Sequence, residues 1–413
     1  MKSNIRGKAK GIAWLFCLVY FASYIMRINY AVMMLNIGAE LGLPKSALAI
    51  AVTCLTVSYG VGQVVSGFLG DRIPPQLLIA TGLGLATVCN VLMFFCPSVL
   101  WMSVVWGVNG VAHALLWPPI VRMMSMHLTE WEYPYASVRV SWGSSFATIL
   151  LYLVCPLLLK ALTWRTVMLC CAACGVGVLA IFLLLSPKLF SDPINAPKRG
   201  AGGSIQRIPL PKFVWLPTIL IMVGIVLQGT LRDGVTNWMP FYLLESFGLP
   251  EDKAIISTVI LAVFSVISFA LFDFLHRAFF RNEVFCAAVI FGGSTVSAGL
   301  LLLVNALFSS PIPSMLCMAL IVSCMHGINL MLITVCPKRF AKSGKVASFS
   351  GMLNACTYVG AAIGSSGFAF LAERFDWGIT ILSWVLISAL GTGILLFATP
   401  IWHRFRQEYS DKP

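Results

Sequence analysis

The chain has 413 residues, of which 59% are hydrophobic and only 10% charged. No soluble domain tolerates that composition at this length, which leaves a polytopic membrane protein. The net charge of +13 is weak evidence for a nucleic-acid partner, and none is expected, because membrane topology accounts for where the charges fall.

A basic stretch at 2–10 leads into an apolar segment too long for a signal-peptide core and without a small-residue cleavage site, so it reads as a retained first helix. A membrane helix needs ~20 apolar residues. Six segments qualify at 12–37, 47–69, 76–96, 99–127, 134–159 and 164–186, and six more at 213–244, 254–275, 283–308, 312–336, 346–372 and 377–401. Between the sets, 187–212 holds Pro, Gly and basic residues with no apolar period and reads as a linker. The expected architecture is all-α, with one six-helix bundle over 1–186 and a second over 213–413. With the N-terminus inside, 21 of the 28 Lys and Arg fall on the cytoplasmic side and 5 outside. That bias predicts a multi-pass cell-membrane protein with both termini and the linker in the cytoplasm.

The two remaining cations are Arg27 and Arg232, each inside an apolar segment. A guanidinium in hydrocarbon costs at least ~2.5–3.5 kcal/mol, so it is expected to face a cavity or a partner. The two stand 205 residues apart, about half the chain, which suggests one arginine in each half of a duplicated protein. The other ionisable groups deep in segments are Asp233, His113 and His326, while Asp273 reads as a helix-end charge. The central tally is +2 against −1. A net-positive cavity suits an anion that a planar guanidinium grips through two oxygens, phosphate esters and phosphate first and carboxylates next. His113 and His326 sit in comparable places, and each can supply a hydrogen bond or a titratable group, or simply pack. Cys170, Cys171 and Cys174 include a CxxC spacing, but no further ligand pair completes a metal site, so they read as packing residues. No cofactor, metal or catalytic constellation is expected, and the chain does not read as an enzyme.

Three runs carry more information. Gly67-Phe-Leu-Gly-Asp-Arg72 lies between the second and third segments; its glycines allow a tight turn, and Asp71 can pair with Arg72 and hold a helix end. Asp273-Phe-Leu-His-Arg277 looks like a degraded copy in the second half. In Asn109-Gly-Val-Ala-His-Ala-Leu-Leu-Trp-Pro-Pro-Ile-Val-Arg122, Pro118 and Pro119 break the hydrogen-bond ladder and kink the fourth helix, with Arg122 near its end.

The first run resembles the inter-helix signature of the major facilitator superfamily. The third, Asn109–Arg122, with Tyr24-x-x-Arg27, Leu231-Arg-Asp-Gly-Val-Thr-Asn-Trp-Met-Pro-Phe-Tyr242 and Gly351-Met-Leu-Asn-Ala-Cys-Thr-Tyr358, resembles its organophosphate:phosphate antiporter branch. That resemblance implies alternating access in a monomer, with an organophosphate bound near the bilayer midplane and exchanged for inorganic phosphate. It implies that Arg27 and Arg232 bind the phosphoryl group and that Tyr24 and Tyr358 line the cavity; Trp117 and Trp142 fall in family-like positions. The departures bear on the substrate. Gln63 stands where glycerol-3-phosphate carriers have a lysine, Phe146 replaces a histidine, and Asn237 replaces an acid while Asp233 follows the arginine. Two rival expectations are a cation-coupled carrier of organic carboxylates and a transporter-like sugar-phosphate sensor.

Overall fold

In hydrocarbon a continuous apolar run has the helix as its low-energy form, because every backbone amide then finds a partner inside its own segment. A computed structural model of the chain, describing residues 5–43, 45–191, 208–307 and 310–410, is helical throughout its regular elements, with no strand among the described residues. Among those residues twelve helices are long and apolar enough to cross a membrane. They are α1 (Gly7–Leu41), α2 (Lys45–Gly70), α3 (Pro75–Phe95), α4 (Val99–Ala114, resumed at Trp117–His127), α5 (Glu132–Leu158) and α6 (Trp164–Leu189). Then come α7 (Trp215–Phe247), α8 (Val259–Ala278), α9 (Glu283–Leu307), α10 (Pro311–Asn329), α11 (Val346–Arg374) and α12 (Trp377–Phe405). Of the stretch expected as a linker, residues 192–207 lie outside the described residues.

Local chemistry sets the ends. α1 stops at Gly42 with φ 65°, where a Cβ would be strained, and the Gly42 N–H reaches back to the Gly38 carbonyl. α12 starts on Asp376, whose Oδ1 accepts from the Ile379 N–H at 2.7 Å. Leu100, Leu184, Leu307 and Phe397 stand exposed, as side chains do where acyl chains replace water.

The chain forms two compact units, Met1–Arg207 with Phe340–Met352, and Ile208–Arg339 with Leu353–Pro413. The start of α11 therefore packs with the first six helices. Inside the first unit α5 lies directly on α1: a Cβ on Gly143 would stand 2.4 Å from the Cys17 carbonyl oxygen. α2 and α4 meet at Gly110, packed against Ser58 and Leu55. In the second unit α7 and α11 meet the same way, with Gly360 against the Val226 carbonyl and Gly364 against that of Thr230. Such seams let helices approach where no hydrophobic effect drives them together.

One helix in each unit is irregular just past a histidine. α4 breaks at Leu115–Leu116, where the amides bond three residues back, to Ala112 at 3.2 Å and His113 at 3.2 Å. Pro118 and Pro119 follow without N–H groups to extend the ladder. α10 passes from His326 into a π-helical stretch, Leu330–Val335, and then a 3-10 stretch, Cys336–Ser343, that contains Pro337.

Candidate functional site

Arg27 sits on α1, and its guanidinium carbon lies 4.8 Å from the Tyr24 ring centroid and 4.6 Å from that of Tyr59 on α2. Tyr24 is one turn before Arg27 and so shares its face. Tyr59 escaped the sequence reading; it stands one turn before Gln63 on α2. The aromatic wall continues from Tyr24 to Tyr20 at 5.1 Å and from Tyr20 to Trp117 at 5.0 Å. Two π faces stabilise a poorly hydrated guanidinium.

A polar layer holds this part of α1. Asn90 of α3 and Asn109 of α4 each donate to the Met26 carbonyl at 3.0 Å, and Asn29 donates to Asn90 Oδ1 at 2.7 Å. Ser23 Oγ lies 2.9 Å from His113 Nδ1. All five side chains are buried, so each bond is made away from water and fixes the residues flanking Arg27. Gln63 is also fully buried, yet neither its Nε2 nor its Oε1 has a hydrogen-bond partner among the described residues.

In the second unit Arg232 of α7 meets Asp233 through two parallel bonds, Nε to Oδ1 at 2.7 Å and Nη2 to Oδ2 at 2.9 Å. Adjacent helix residues do not ordinarily face each other, so this pairing bends both side chains to one spot. Tyr358 is half-buried on α11, and the His326 ring packs edge-on to Phe269 at 5.4 Å. Gln228 donates to the Met325 carbonyl at 3.0 Å, one residue before His326. α11 is tied to α7 by Trp238 Nε1, which donates to the Ser365 carbonyl at 2.9 Å.

The inter-helix run behaves differently from one expectation. Asp71 does hold a helix end, but not by pairing with Arg72, which is exposed. Its oxygens accept from the Ala347 and Ser348 N–H groups at 2.9 and 2.8 Å, at the start of α11. Two converging backbone N–H groups at the positive end of a helix outcompete a guanidinium that can turn to water. Burial pushes the Asp71 carboxyl above its usual range, against the pull of Ser348, Ala347 and Arg122. Arg122 donates to the Gly70 and Ile73 carbonyls. Gly67 is required by contact, since its Cβ would lie 2.8 Å from the Ala347 oxygen.

Sequence reading also missed buried charge. Glu283 at the start of α9 is fully buried, with Arg339 at 2.9 Å, Arg406 at 3.2 Å and the Trp402 Nε1 donor at 3.1 Å. Asp273 pairs with Arg277. Arg139, counted from sequence among the cytoplasmic-side charges, lies seven residues into α5. The cysteines Cys155, Cys170, Cys171 and Cys174 line an apolar hollow of about 170 Å³ with Ile25 and Leu151. No group of three His, Cys, Asp or Glu side chains is placed for a metal ion among the described residues.

Residues 16–365 match the family model described as Major Facilitator Superfamily. The chain belongs to that superfamily. It is a transporter-family membrane protein, and its relatives place it beside the organophosphate:phosphate antiporter branch. It is 24% identical over 390 residues to the glycerol-3-phosphate transporter of Bacillus subtilis (strain 168), covering 87% of this chain and 85% of that one. It is 32% identical over 130 residues to a probable hexose phosphate transport protein of Chlamydia pneumoniae, covering 31% of this chain and 27% of that one. The superfamily's solved proton:xylose symporter XylE superposes with a TM-score of 0.74 at 13% identity, over 95% of this chain and 96% of that one, a likeness of fold.

Proposed function

We propose that this protein is a secondary active transporter of organophosphates that works by alternating access and exchanges its substrate for inorganic phosphate. The observation that carries the reading is one guanidinium in a membrane-spanning helix of each unit, Arg27 between Tyr24 and Tyr59 and Arg232 on Asp233. A monoester phosphate offers two or three oxygens to such groups, and each bidentate grip is charge-assisted. In this reading both arginines bind the phosphoryl group, Tyr24 and Tyr358 line its path, and His113 and His326 serve behind them. Bound phosphate competes with the Asp233 carboxylate for Arg232. In the empty carrier Asp233 neutralises Arg232, which lowers the cost of reorienting without cargo and loosens strict exchange. The bundles turn over because substrate binds the occluded state better than either open one; equal affinity would shift nothing. Both termini lie on the cytoplasmic side, and the carrier acts as a monomer.

The test is uptake of radiolabelled phosphate by liposomes holding the purified protein, with and without phosphate inside, beside Arg27→Lys and Arg232→Lys. Uptake that internal phosphate strongly accelerates and that falls in both variants is expected, and unlabelled esters added in competition then rank the substrates. Folded protein that takes up carboxylates but no phosphate would overturn the reading. The neutral Gln63 and Phe146 make that rival specific, because they stand where the resemblance gives glycerol-3-phosphate carriers a lysine and a histidine.

A further inference from the structure

Arg139 stands inside a membrane-spanning helix of the first unit. It lies on α5 about two turns, roughly 10 Å, past the helix start at Glu132. Its guanidinium carbon is 3.5 Å from the Tyr135 ring centroid and 5.1 Å from that of Trp142. One Nη1 bond reaches the Tyr135 carbonyl at 3.2 Å. The Nε is buried and has no hydrogen-bond partner, and no acidic side chain pairs with Arg139 among the described residues. The flank towards α1 is closed by the Gly143–Cys17 seam. The side chain as a whole is half-buried, so part of it is reachable.

A cation held in a spanning segment normally finds a carboxylate, as Glu283 does for Arg339 and Arg406. Arg139 instead stands against two aromatic rings, Tyr135 and Trp142. Rings stabilise the cation but accept nothing from its N–H fork, and one carbonyl accepts a single bond. The remaining donors fit the oxygens of a phosphate. Register puts Arg139, Trp142 and Phe146 on one strip of α5, and Phe146 is exposed there.

We propose that Arg139 is a second oxyanion station, separate from Arg27, that binds a phosphate group along the α5 strip. A free phosphate or ester moving along that strip and the headgroup of an anionic phospholipid share this chemistry. Only the first source rests on the transport reading given above.

Modification of arginine by phenylglyoxal, read peptide by peptide by mass spectrometry on the intact wild-type protein, tests this. One arm uses phosphatidylcholine vesicles with inorganic phosphate or with chloride at equal ionic strength. The other uses vesicles containing phosphatidylglycerol, without phosphate. Phosphate at ten times its dissociation constant is expected to slow the reaction of Arg139 about tenfold by mass action, and to do so in Arg27→Gln protein as well. Protection by phosphate identifies a solute station, and protection by phosphatidylglycerol alone a lipid one; either supports the proposal. Equal Arg139 rates in all three conditions overturn it. Arg27 and Arg232 are read in the same digest. Their protection without that of Arg139 keeps the transport reading and sinks this one, and the reverse pattern does the opposite.

Discussion

In the first unit the deep guanidinium, Arg27, lies between the rings of Tyr24 and Tyr59; in the second, Arg232 is gripped through two bonds by the carboxylate of its neighbour Asp233. At the helix ends the contrast runs the same way. The first unit joins Arg6, half-exposed, to Glu132, while the second buries Glu283 completely between Arg339 and Arg406. Rings leave a cation's charge in place for a ligand, whereas a carboxylate cancels it until the ligand competes. On the proposed reading the first unit attracts an anion and the second releases one, and this asymmetry can be broken piece by piece.

The largest effect is expected where charge is fully desolvated. Glu283→Gln leaves two arginines facing a neutral amide in a water-free site and is expected to destabilise the protein by about 3–5 kcal/mol. Glu132→Gln leaves Arg6 free to turn to water and keeps an amide oxygen for the Thr129 donors, so it is expected to cost less, about 1–2 kcal/mol. Thermal unfolding of the two variants in one detergent compares them directly; equal losses would remove the contrast between the units.

Next come the two arginines. Arg27→Lys and Arg232→Lys keep the charge but lose the planar fork. Losing one charge-assisted bond of ~1.5–3 kcal/mol lowers kcat/KM about ten- to a hundredfold. Asp233→Asn separates the units further. With its internal competitor gone, Arg232 is available more of the time, and phosphate affinity in binding titrations is expected to rise about three- to tenfold. Transport without internal phosphate should fall in the same variant. Unchanged counterflow-independent uptake would show that Asp233 does not neutralise the empty carrier.

What was legible in the sequence follows the range of the physics. Twelve apolar runs are local, so the helices could be read within a few residues, and a lone Arg27 or Arg232 inside such a run is conspicuous. The environment of each arginine was legible only in its local part, Tyr24 one turn before Arg27 and Asp233 beside Arg232. Tyr59 comes from another helix, and nothing in one sequence says that it meets Arg27. Glu283 begins an apolar run and looks like a helix-end charge, because its partners lie 56 and 123 residues away. Asp71 was read as a partner for Arg72 because adjacency is visible in sequence and the start of α11 is not.

The smallest and most discriminating comparison concerns two fully buried glutamines. Gln228 of the second unit has its Nε2 on the Met325 carbonyl at 3.0 Å, while Gln63 of the first has no partner among the described residues for either end. Gln228→Leu removes a formed bond and is expected to cost about 1 kcal/mol. Gln63→Leu removes only an unsatisfied amide, so melting without ligand should stay level or rise, by up to about 1 kcal/mol of stability. Inorganic phosphate then separates two roles for Gln63. If its amide reaches the substrate, the phosphate-induced rise in melting temperature shrinks in Gln63→Leu although the unliganded protein is no less stable. If the rise is unchanged, Gln63 only fills space beside Tyr59, and substrate recognition in the first unit rests on Arg27 and its two rings.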